Sequence, residues 1–143
     1  MPKMFPKKID QEFVKQLLLE EEGEQLEFKQ QISSQEKIAK TLSAFANTKG
    51  GLLVIGVSDL RKIIGIDSDE EQYMIASAND SYCVPKVSLE INSIKIDPAH
   101  PSEEEKIVLL VKVHASLGPR IFVKGKNGSC KAYYRSGQQC KIL

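Results

Sequence analysis

The chain has 143 residues, 41% hydrophobic and 6% aromatic with no tryptophan, and its 20 Lys and Arg against 19 Asp and Glu leave a net charge of +1. That length suits one domain able to bury roughly two thirds of its unfolded surface, so folding needs neither a disulfide nor a metal. No run approaches the ~20 apolar residues of a membrane span. Residues 1–10 are basic but lack the apolar stretch of a secretory leader, and the widely spaced Cys83, Cys130 and Cys140 suit free thiols in a reducing, cytoplasmic setting.

Residues 10–22 read as a helix: Asp10 caps it, Phe13, Val14, Leu17 and Leu18 share a face, and Gly23 stops it. Residues 25–30 alternate like a half-buried strand, with Leu26 and Phe28 on one side and Glu27 and Lys29 on the other. Ser33-Ser34-Gln35-Glu36 is a capping-box pattern. The helix it opens lines up Ile38, Leu42, Phe45 and Ala46 and ends at Asn47-Thr48-Lys49-Gly50-Gly51. The apolar run 52–57 predicts a strand covered on both faces, with 62–66 returning beside it as a hairpin. Residues 67–81 predict a surface helix whose first-turn acids favour the positive end of its dipole. Strands follow at 88–96, 106–114, 120–124 and 130–135, with an exposed loop at 97–105 and a hairpin turn at Gly125-Lys126-Asn127-Gly128. Without a repeat or linker, the expectation is one compact α+β domain, a mixed sheet with two to three helices, its core spanning about residues 12–139.

Charge is unevenly placed. Residues 106–143 hold eight Lys or Arg and no acid, hence +8, while the other twelve basic residues stand against all nineteen acids in 1–105, hence −7. A cationic end suggests a polyanionic partner, since clustered Lys and Arg displace counterions from phosphates; hairpin lysines also serve solubility and edge protection. Enzyme signatures are sparse. There is no phosphate loop, so ATP is not expected, and no C-x-x-C; His100 and His114 have no paired ligand spacing. If the strands at 25–30 and 52–57 are neighbours, Glu27 and Asp59 converge at one sheet edge, where carboxylates can hold a hard divalent cation. By spacing alone, solvated charges at Glu22 and Glu24 and a turn residue at Asp59 are the simpler account. Asn47 with Gly50-Gly51 is either a helix stop or an amide nest for phosphate.

Leu26-Glu27-Phe28-Lys29, Ala44-Phe45-Ala46-Asn47-Thr48-Lys49-Gly50-Gly51, Leu53-Val54-Ile55-Gly56-Val57-Ser58-Asp59, Ile64-Gly65-Ile66 and the ending Tyr133-Tyr134-Arg135-Ser136-Gly137 resemble, in order and spacing, the AlbA_2 (Schlafen-type) family over about residues 12–139. The resemblance implies an α+β domain that binds DNA or RNA, in bacteria often at the front of transcriptional regulators that add a winged helix; this chain ends after the domain. Some Schlafen proteins cleave RNA with a metal-dependent carboxylate trio. The matching positions are Glu22, Glu27 and Asp59, with Mg or Mn as the metal, although Glu20, Glu21 and Glu24 compete with Glu22.

Two functions are therefore expected in order. The first is a non-catalytic DNA- or RNA-binding module in which Lys29, Lys49, Arg120, Lys124, Lys126, Lys131 and Arg135 meet phosphates and Tyr134 stacks on a base. Tyr133 and Tyr134 point to opposite faces of a strand, so one of the two should face out. The second is a divalent-metal ribonuclease built on the trio. Exposed edge strands also leave room for a homodimer.

Overall fold

The computed structural model describes residues 9–143, so most of the basic N-terminal stretch lies outside the described residues. Helix α1 (Gln11–Leu17) starts where Asp10 accepts the Phe13 N–H at 3.2 Å. It is shorter than the expected 10–22. Leu19 has nothing to pack against, at 88% exposed, and the Glu20-Glu21-Glu22 run sits at the unfavourable, negative end of the dipole.

The first sheet has the order β1-β2-β5-β4: β1 (Leu26–Lys29), β2 (Gly51–Ile55), β4 (Leu89–Ile96) and β5 (Lys106–Val113). β1 runs parallel to β2, as a crossover through helix α2 (Gln35–Ala46) requires, and the other two pairings are antiparallel. The α2 cap is Ser34, which accepts the Lys37 N–H at 3.2 Å; the Ser33–Glu36 capping box is thus displaced by one residue. Helix α3 (Ser68–Tyr82) lies where the acidic opening predicts a helix, and Asp67 is its cap. A second, antiparallel sheet of order β3-β6-β7-β8 is formed by β3 (Cys83–Val84), β6 (Phe122–Lys124), β7 (Cys130–Ser136) and β8 (Gln139–Ile142).

Alternation along the strands divides the core. Leu26, Phe28, Leu52, Val54, Val108 and Leu110 face α1 with its Val14 and Leu17. Leu53, Ile55, Leu109 and Val111 face the other way, onto α2, α3 and the inner side of the second sheet. Helix α2 is therefore covered on both sides, and every residue of it from 41 to 46 is buried. Buried apolar area contributes roughly 25 cal/mol per Å², so this helix adds to the fold's stability through both of its packed sides. The doubly covered strand expected at 52–57 is present as β2, but 62–66 does not return as its hairpin partner. Both edges of β2 are already taken by β1 and β5, so only an isolated Val57–Ile63 bridge forms. The chain turns there through Gly56 (φ +115°), Arg61 (φ +64°) and Gly65 (φ +86°). The Gly50-Gly51 pair is explained by packing. A Cβ on Gly50 would lie 2.6 Å from the Val113 carbonyl oxygen, and one on Gly51 would lie 2.7 Å from the Phe45 ring.

Candidate nucleic-acid interface

The β6–β7 hairpin closes over Gly125-Lys126-Asn127-Gly128, as expected. Gly125 N–H donates to the Ser129 carbonyl at 2.6 Å, and Asn127 Oδ1 accepts the Ser129 hydroxyl at 2.7 Å. On β7 the inward parity is Lys131, Tyr133 and Arg135, and Lys131 pairs with inward-facing Val123 of β6. At the hairpin end this parity runs off the covered core and opens a cleft of about 400 Å³ against the first turns of α2. Lys40 and Glu36 of α2 meet Lys126, Lys131 and Tyr133 across it. Lys40 Nζ lies 5.7 Å from the Tyr133 ring centroid, within cation–π range. None of the three lysines makes an ion pair within the described residues, and Glu36 is the one carboxylate on the cleft wall. The hairpin lysines were expected here. Lys40 was not, because a single lysine on an amphipathic helix carries no local signal.

The other expected phosphate contacts scatter. Lys124 and Tyr134 lie on the opposite, outward parity of the second sheet, Lys124 exposed and Tyr134 half-buried. Arg120 is exposed near the C-terminal end of α2, beside Asn47 and Thr48. Lys49 pairs with Glu24 at 3.3 Å and Lys29 with Glu27 at 3.6 Å. Lys112 is 3.9 Å from Glu90, and Lys106 donates to the Ile63 carbonyl at 3.3 Å. The eight cations of 106–143 thus form no single face.

Arg135 requires an outright correction: it is a strut and not a surface contact. Its side chain is fully buried. Nη1 donates to Glu27 Oε1 at 2.6 Å, Nε donates to the Gly23 carbonyl at 3.0 Å, and the guanidinium lies 4.8 Å from the Phe45 ring centroid. Its place on the inward parity with Tyr133 dictates this. Glu27 Oε2 and Arg135 Nη2 are buried without a hydrogen-bond partner, although Lys29 Nζ stands 3.6 Å from the former.

The carboxylate trio does not assemble. β1 and β2 are neighbours as supposed, but Glu27 sits level with Leu53, whereas Asp59 lies in the exposed turn beyond the strand. Glu22 accepts the Phe28 N–H at 2.9 Å and so fixes the entry into β1. Among the described residues, no three His, Cys, Asp or Glu side chains are grouped to hold a metal ion. With Glu27 Oε1 bonded to a guanidinium and Asp59 away in the exposed turn, the grouped carboxylates are too few to fit Mg or Mn, which take several oxygen ligands. His114 approaches Glu90 at 2.6 Å in an exposed pair. Asn47 ties α2 to the second sheet: Nδ2 donates to the Ile121 and Tyr133 carbonyls, both at 2.9 Å, and Oδ1 accepts the Ile121 N–H at 2.8 Å. Its side chain is a structural bracket for the helix end.

Burial pushes the Glu71 carboxyl above its ordinary value of 4.5, with Glu70 and Asp67 adding to the rise and the Ile32 N–H opposing it. Burial also pushes the Cys83 thiol up to about 12.

Two four-stranded sheets around a buried helix, with a lysine-lined cleft at one hairpin, define a small α+β domain. The Schlafen AlbA_2 family model matches residues 22–143, and the chain belongs to that family. Membership supports a nucleic-acid-related role at that coarse level. The fold is similar to the crystal structure of the DIP2311 protein from Corynebacterium diphtheriae, at a TM-score of 0.52 and 18% identity over 84% of this chain. The likeness at that identity is of fold alone, and it spans 22% of that protein. No curated protein matches the chain. Among the described residues no helix is long and apolar enough to cross a membrane.

Proposed function

We propose that this domain is a nucleic-acid-binding module, of the DNA-binding kind found in transcriptional regulators, that grips the phosphate backbone in the hairpin cleft without cleaving it. The observation that carries this reading is the convergence of Lys40, Lys126 and Lys131 on one cleft with no ion pair among them. Ammonium groups gathered on one cleft without an ion-pair partner repel one another, and an anionic ligand relieves that repulsion. Asn127 and Ser129 add polar groups on the turn. Three free thiols fit a reducing compartment such as the cytoplasm.

Three lysine–phosphate contacts to a duplex predict a slope of about −2.7 for log K against log salt, or roughly 40-fold weaker binding over a fourfold rise in salt. Anisotropy titrations against labelled DNA and RNA at several salt concentrations read this directly. Lys126→Glu with Lys131→Glu should abolish most of the affinity and flatten the slope. Unchanged affinity in that variant removes the cleft as the binding site.

A further inference from the structure

We propose that the outward face of the second sheet is a stacking platform for unpaired bases, so that the ligand engaged there is single-stranded nucleic acid. This rests on the nucleic-acid reading above and specifies which form of it the domain takes.

The strand register defines the face. Val84 of β3 lies opposite Phe122 of β6, and Phe122 opposite Ala132 of β7, whose carbonyl accepts the Leu143 N–H. This apolar row is flanked by two rows that carry cations. Lys124 stands opposite Cys130 on one side, and Tyr134 stands opposite Lys141 on the other. Helices α2 and α3 pack on the inner side of this sheet with Val123 and Tyr133, and α1 packs on the first sheet. On the outer side Ala132 is buried at the centre of its row, while Val84 and Phe122 beside it are 40% and 38% exposed and Tyr134 is half-buried. A large aromatic left open on a sheet face forgoes burial it could have gained.

Charge selects the occupant. The outward positions of β6, β7 and β8 include Lys124 and Lys141 but no carboxylate, because residues 106–143 contain no acid. An apolar protein surface would bury two lysines unpaired here, whereas a nucleic-acid strand offers rings to the aromatics and phosphates to the ammoniums. Phe122 and Tyr134 are diagonal neighbours on adjacent strands, about 7–8 Å apart at Cα, a spacing that suits successive bases splayed on a sheet. Duplex DNA keeps its base faces stacked and cannot use them. The face is also continuous with the cleft: Lys124–Cys130 is the last pair before the turn that carries Lys126. A strand held by its backbone in the cleft therefore passes around the hairpin tip onto the aromatics.

The test uses the full chain and anisotropy against oligo-dT, oligo-U and a duplex. Phe122→Ala and Tyr134→Ala should each weaken oligo-dT or oligo-U binding by roughly five- to hundredfold while leaving duplex binding within twofold. Tyr134→Phe, which keeps the ring, should keep the affinity. Because tryptophan is absent, tyrosine emission gives a second readout. It should be quenched by single strands in the wild type and quenched less in Tyr134→Phe. The oligo-dT and oligo-U arms separate DNA from RNA as the preferred source of bases. Single-strand binding unchanged in Phe122→Ala/Tyr134→Ala overturns the platform; if Lys126→Glu/Lys131→Glu still abolishes binding, the cleft reading stands without it. No binding of any of the three ligands overturns both.

Discussion

Arg135→Met should destabilise the domain by about 3 kcal/mol. Removing one partner of a buried ion pair costs about 3–5 kcal/mol, because the other charge is left without compensation. Here the abandoned group is Glu27, whose side chain is only 11% exposed. Lys29 Nζ, 3.6 Å away and 40% exposed, offers partial compensation and places the estimate at the lower end. The bond to the Gly23 carbonyl and the contact with the Phe45 ring are lost as well. For a chain of this size, about 3 kcal/mol corresponds to a Tm lowered by roughly 6–12 °C. Urea and thermal unfolding followed by circular dichroism measure it. Glu27→Leu/Arg135→Met, which removes both charges, should recover to within about 1 kcal/mol of wild type, since an apolar pair of similar volume often replaces a buried ion pair without loss. Nucleic-acid affinity of folded Arg135→Met should not change. A variant of near wild-type stability with lost affinity would return Arg135 to the binding surface and refute the strut.

Asn47→Ala removes the acceptor of the Ile121 N–H and a donor to the Tyr133 carbonyl, while the Ser43 hydroxyl still serves the Ile121 carbonyl at 2.8 Å, and should cost about 2–3 kcal/mol in urea unfolding; a loss under 1 kcal/mol contradicts the bracket role. Because the folded-state pKa of Glu71 is raised, its contribution to stability is full below pH 4.5 and is lost as pH rises through the raised value. Glu71→Gln keeps an acceptor for the Ile32 N–H and should remove that loss, so its stability relative to wild type should increase from pH 4 to pH 7; a difference that does not change with pH contradicts the raised value. Thiol titration of the native protein should label exposed Cys130 fastest and leave Cys83 unreactive until unfolding, since its thiol is pushed up to about 12. Glu36→Gln removes the cleft's one carboxylate and should tighten nucleic-acid binding by up to about fivefold; weaker binding would mean that Glu36 contacts the ligand.

Local chemistry was legible. Asp10 caps its helix as predicted, the acidic run at 67–71 opens another, Asn127-Gly128 turns the hairpin, and the run at β2 is buried on both faces. Pairing across the chain was not. Glu27 and Arg135 are 108 residues apart, and no periodicity in either strand announces the other. Arg135 was nonetheless half-visible: it shares parity with Tyr133, and a tyrosine packed inward carries the residue two further along inward with it. The hairpin expected at 62–66 failed for a similar reason. Local turn residues at 58–61 predict a reversal, but whether a returning segment finds a free strand edge depends on β5, some 45 residues later.

The displaced arginine changes how the cationic segment is understood. Were all eight positive residues of 106–143 on one surface, stability and binding would be mixed at every position. Instead α2 separates them along its length. Its C-terminal end carries Phe45 against Arg135, and Asn47 caps it against the second sheet, so changes there act on the fold. Its N-terminal turns carry Glu36 and Lys40 at the cleft mouth, so changes there act on the ligand. It follows that Lys40→Ala should weaken phosphate binding without shifting Tm, and that Asn47→Ala should shift Tm without changing the affinity of the folded fraction.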